Sequence, residues 1–180
     1  GAPRAGAAPR GAAPARAPAM SPLIVVVLLG LLLGIQPITT DVYLPALPAL
    51  QRDLNASMSE VQMTFAALLL AFGVSQLVWG PLSDRYGRKP ILLWGLGAYV
   101  LASIACVLAP TMELLIAVRV AQGAAIGAAV MCARAIVRDL YPPLEGARVM
   151  SRGLSGLGVI AIVCAPLGGL LTELIHWRAA

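Results

Sequence analysis

Charge is scarce in this 180-residue chain: Asp, Glu, Lys and Arg together make up 12% of it, about half the usual share of a soluble domain. That deficit excludes an ordinary water-soluble fold. With 59% hydrophobic residues and a mean hydropathy of +0.86, it places the chain in a bilayer. The only histidine, His176, lies near the chain end without a Ser/His/Asp, His/Glu or paired-carboxylate cluster around it. Acid–base and nucleophilic catalysis therefore lack their groups, and the chain is read as not an enzyme, with a membrane enzyme the remote alternative. No Gly-Lys-Ser/Thr phosphate loop occurs, which leaves ATP-driven pumping without support. Cys106, Cys132 and Cys164 lie in apolar stretches with no CxxC spacing and no neighbouring His pair. They read as small apolar side chains, so no catalytic residue, metal or cofactor is expected. The formal charge of +5 does not indicate nucleic acid, because the basic residues are not gathered on a soluble face.

What the chain does have is long apolar runs. A helix crossing the hydrocarbon needs roughly 20 mostly apolar residues. Such stretches are predicted at 22–47, 61–82, 91–109, 112–140 and 149–175, separated by short polar clusters. The first is interrupted by Pro37 and closed by Pro45 and Pro48, and Pro142-Pro143 stops the fourth. Residues 1–19 form an Ala/Pro/Gly/Arg tail unable to bury a core, and are expected to be disordered. Met20, directly before the first apolar run, is a candidate natural start. An Arg-containing tail before an apolar stretch also fits a signal peptide. The run continues past Gly34 with no prompt small-x-small site, which favours an uncleaved first span.

Lys and Arg set the orientation. The tail and the second and fourth connections hold Arg4, Arg10, Arg16, Arg85, Arg88, Lys89, Arg138, Arg148 and Arg152. The opposite ends hold only Arg52 and Arg178. The N-terminus and both basic loops are thus expected in the cytoplasm, in a multi-pass protein of a bacterial inner membrane.

Between the second and third spans runs Gly80-Pro81-Leu82-Ser83-Asp84-Arg85-Tyr86-Gly87-Arg88-Lys89-Pro90. Physically this is a tight turn with charges at the membrane surface. The order Gly-x-Leu-x-Asp-Arg-x-Gly-Arg-Lys resembles the signature loop of the major facilitator superfamily. In the fourth span, Arg119-Val120-Ala121-Gln122-Gly123 is similar to the Arg-x-x-Gln-Gly motif of the superfamily's proton-coupled members. An arginine at that depth costs several kcal/mol unless it faces a cavity or a partner, snorkelling to the outer interface being the alternative. Gln122, Gly123 and Ile126 share its helical face.

The first span ends in Thr39-Thr40-Asp41-Val42-Tyr43-Leu44-Pro45, which resembles the first helix of the bicyclomycin- and chloramphenicol-resistance group of drug:proton antiporters. Asp41 and Arg119 each lie about seven residues from the outer end of their spans, so both sit about 10 Å deep. Equal depth makes a charge pair the expectation, Asp41 carrying the proton and Arg119 tuning it. An interfacial carboxylate without a coupling role is the alternative. In the fifth span, Pro166 with Gly168 and Gly169 is similar to the antiporter motif of the superfamily's exporters. It departs from it by Ala165 before the proline and by one residue of spacing, and a generic packing helix is its other reading.

The resemblance implies an all-α membrane fold of twelve helices in two halves, of which this chain carries the first five, with substrate held between the halves. It implies a secondary transporter exporting small organic molecules against protons, with a metabolite or sugar symporter or uniporter as the alternative. Its partners would be a small-molecule substrate, protons, lipid and the remaining helices of the same transporter, and not nucleic acid. Asp139, ending the fourth span beside the signature loop, is expected to join Asp84 and Arg88 in a cytoplasmic cluster favouring the outward-facing state.

Overall fold

The computed structural model describes residues 21–179; the expected tail of residues 1–19 and the candidate start at Met20 lie outside them. Among the described residues six α-helices follow one another: α1 (Pro22–Asp41), α2 (Leu47–Asp53), α3 (Met58–Tyr86), α4 (Arg88–Leu108), α5 (Met112–Leu140) and α6 (Pro143–Leu174). Among the described residues there is no strand. α1 and α2, joined by a 3₁₀ turn at Leu44–Ala46, form one span, and α3 to α6 form four more. All five are long and apolar enough to cross a membrane.

The helix ends differ from the expected spans for local reasons. α1 passes through Pro37 without breaking, and beyond it the hydroxyls of Thr39 and Thr40 donate to the carbonyls of Ile35 (2.7 Å), Gln36 (3.1 Å) and Pro37 (3.2 Å). It stops at Asp41, ahead of Pro45. The connection between α2 and α3 is short, because α2 continues to Asp53 and α3 begins at Met58. α3 then begins on a capping box. Ser57 Oγ accepts from the Glu60 amide (3.2 Å), and the Glu60 carboxylate accepts from the Ser57 amide (2.7 Å). α6 begins at Pro143, six residues ahead of the expected 149 (149 − 143), because proline suits the first helical position and Glu145 suits the first turn.

Small residues set how closely the helices pack. A Cβ added to Gly123 or Gly127 on α5 would collide with α3, at the Leu68 carbonyl and the Ser75 hydroxyl respectively. One added to Gly95 on α4 would meet the Ala128 Cβ of α5 at 2.5 Å. These contacts draw α3 and α4 tightly onto α5, whose Ile126, Ala128, Ala129 and Cys132 are almost fully buried. On the other side, α6 lies along α1, with Gly153 against Leu29 and Gly168 against the Val42 carbonyl. Among the described residues Leu23, Leu77, Trp94, Ile162 and Leu174 stand largely exposed, as side chains that face hydrocarbon do.

Candidate functional site

Two polar assemblies interrupt the apolar bundle. The first is built on α5, where Arg119 and Gln122 lie one turn apart and are both buried. Arg119 Nη1 donates to Gln122 Oε1 at 2.8 Å, and Gln122 Nε2 donates to Ser103 Oγ of α4 at 2.9 Å. Cys106 Sγ approaches the same Gln122 oxygen at 3.8 Å. The guanidinium lies over the face of Tyr43, its carbon 3.7 Å from the ring centroid, and the Tyr43 hydroxyl bonds Thr64 Oγ1 of α3 at 2.8 Å. On the α1 side, Thr39 and Tyr99 share a 2.8 Å hydroxyl–hydroxyl bond.

Between these groups is a cavity of about 220 Å³, lined by Thr39, Tyr43, Tyr99, Ser103, Arg119 and Gln122 among others. The final turn closes one end. There Trp177 donates to Asp53 (2.8 Å) and Arg178 to the Val107 carbonyl (2.7 Å), with Arg178 stacked on the Trp177 ring.

Asp41 is not part of this assembly. The expected Asp41–Arg119 pair is absent: among the described residues the ion pairs are both made by Arg88, and Asp41 does not line the cavity. Asp41 is half-buried and accepts from Thr40 Oγ1 at 3.2 Å. The helix ends at Asp41, and it is Tyr43, two residues on, that covers the cation. A desolvated guanidinium is stabilised by an aromatic face by about 2 kcal/mol, so the charge has a partner without a carboxylate.

The second assembly lies at the opposite end of α5. Arg88 pairs with Asp84 (2.5 Å) and, through Nε, with Asp139 of α5 (3.0 Å). Its Nη1 also donates to the buried hydroxyl of Ser83 at 2.5 Å. The structure thus brings Asp84, Arg88 and Asp139 together. Helix runs through most of the signature loop, leaving Gly87 alone between α3 and α4 with φ of +93°, a value only glycine adopts without strain. Arg85 stacks on Tyr86 and Lys89 is exposed, while Gly80 packs near Met131 of α5. Of the motif in α6, Gly168 is the close-contact position, Gly169 lies near Pro45, and Pro166 is exposed.

Sequence reasoning missed the parts played by Tyr43, Ser83, Tyr99 and Ser103. Tyr99 and Ser103 carried a signal: they are polar, four residues apart and on one face of an otherwise apolar run.

Comparison with known proteins adds the family. Residues 21–180 match the Major Facilitator Superfamily. The chain belongs to that superfamily. It is 36% identical over 152 residues to multidrug resistance protein D of Escherichia coli K12, covering 84% of this chain and 39% of that protein. It is 36% identical over 140 residues to the chloramphenicol resistance protein of Pseudomonas aeruginosa, covering 77% of this chain and 33% of the relative. An uncharacterized superfamily transporter of Bacillus subtilis, YdgK, is 37% identical over 154 residues, 84% of this chain and 38% of its own length. The chain therefore spans less than two fifths of the length of these relatives. Within the superfamily it is a multi-pass membrane protein resembling its drug-resistance members.

Proposed function

We propose that the protein is a secondary transporter of the bacterial inner membrane, exporting small organic molecules in exchange for protons, with its N-terminus in the cytoplasm. The observation that carries this reading is the Arg119 cavity. A guanidinium held within an apolar bundle is costly, and it is kept here beside space for a small molecule. The charge cluster at Arg88 supports it as a latch between conformations, because partly exposed pairs add little to stability yet bias a two-state equilibrium. Asp41 is the proposed proton carrier. It is the one acidic residue of the first span ahead of its closing prolines, and it acts separately from Arg119.

Drug accumulation tests the function. Cells expressing the complete gene product should hold less labelled chloramphenicol than control cells, and a protonophore should remove the difference. Equal accumulation in both, across a panel of drugs that includes organic cations and acids, overturns the reading.

A further inference from the structure

Polar groups around the Arg119 cavity bond one another. Gln122 joins Arg119 to Ser103, Ser103 donates to the Tyr99 carbonyl at 2.8 Å, and Thr39 bonds the Tyr99 hydroxyl. Tyr43 covers the face of the guanidinium and Gln122 takes one corner of it. Of the five N–H donors of the guanidinium only one, on Nη1, has a protein partner. Arg119 Nε is buried and has no hydrogen-bond partner, in a side chain only 7% exposed.

The charges around the cavity share one sign. Arg119 and Arg178 both line it, and among the described residues no carboxylate does. Asp41 and Asp53 lie outside the lining, Asp41 accepting from the Thr40 hydroxyl and Asp53 from the Trp177 indole. Two guanidiniums with no carboxylate in the lining attract an acceptor and repel a cation. An arginine edge also suits a carboxylate or carbonyl oxygen, to which it presents fixed, charge-assisted donors.

We propose that this cavity is a subsite for the neutral or anionic, acceptor-bearing end of the transported molecule, and that the guanidinium of Arg119 is its anchoring group. Organic cations are excluded from it. The proposal rests on the transporter reading and narrows its substrate class. Size agrees: a pocket of roughly 150 Å³ holds benzene, so about 220 Å³ accommodates a benzene ring with one polar substituent.

Three ring compounds of matched size and different charge test it: benzoate, benzamide and benzylammonium. Binding is read from the fluorescence of Trp177, which lines the cavity, with the complete protein in detergent and no proton gradient; Trp177→Phe identifies the signal. Benzoate should bind most tightly and benzamide next, with benzylammonium at least about tenfold weaker than benzoate. Arg119→Gln should weaken benzoate at least about tenfold, the loss of one charge-assisted hydrogen bond. Arg119→Lys, which keeps the charge without the fork, should fall between.

Benzylammonium binding as tightly as benzoate overturns the proposal in the unmutated protein, whether or not the variants fold. Benzoate binding unchanged in a folded Arg119→Gln protein overturns it equally. The transporter reading stands or falls separately: selective benzoate binding without drug export would refute export and leave the acceptor site in place.

Discussion

The guanidinium of Arg119 rests 3.7 Å above the ring of Tyr43, and the hydroxyl of that ring is tied to Thr64 on α3. One aromatic side chain from the first span therefore serves two others, α5 through its face and α3 through its edge. Tyr43→Phe keeps the face and removes a buried hydrogen bond, costing about 1 kcal/mol. Tyr43→Leu also removes the cation–π contact and should cost about 2 kcal/mol more. Thermal unfolding in detergent ranks them. Equal destabilisation by the two variants would show that the face contributes nothing.

Gly123→Val places a branched side chain where the Leu68 backbone lies. Backbone cannot step aside as a flexible side chain does, so the cost should reach or exceed the about 1–3 kcal/mol typical of overpacking. Gly156→Val, at a site with open space around it, is the control and should leave the melting temperature nearly unchanged. A melting curve for Gly123→Val that matches the control would contradict the close α3–α5 approach.

Arg88→Ala and Asp139→Asn should lower stability by less than about 1 kcal/mol, since their pair is partly exposed. Both should nonetheless abolish drug export by the complete protein at normal membrane levels. Normal export by both would remove the latch role.

Topology can be read with single cysteines at exposed sites, Ser59 at one end and Glu145 at the other, in a background lacking the three native thiols. An impermeant thiol reagent on intact cells should label the Ser59 site alone. Labelling of the Glu145 site alone would invert the proposed orientation.

Asp41→Asn should end proton-driven export while leaving benzoate binding at the Arg119 cavity intact, because Asp41 is outside its lining. Efflux that is unchanged from pH 6 to pH 8 in this variant would move the proton to another carboxylate.

The apolar runs were enough to show five spans, because length and hydropathy alone decide whether a helix can cross. The helix ends were less legible. They depend on single residues such as Ser57, Gly87 and Pro143, whose capping geometry outweighs the polarity of the surrounding loop. Arg119 and Gln122 could be placed on one face from their spacing, but the partner of the arginine could not. Counting rise along two helices gives depth and not direction. Asp41 is level with Arg119 by that count, yet the chain turns after Asp41 and presents Tyr43 instead. Arg88 with Asp84 was accessible from their i, i+4 spacing. The part of Ser83 was not, because nothing in sequence marks a hydroxyl that will be buried under an arginine.

Gly87 leaves no slack between α3 and α4. A longer linker would let one helix tilt while its neighbour stayed still, absorbing the movement in loose chain. With a single residue between them, a tilt of α3 at that end must drag α4 with it, and Arg88 sits on the first step of α4. On the proposed latch role, the junction would act as a crank, a change in the grip of Arg88 on Asp139 turning two membrane crossings at once.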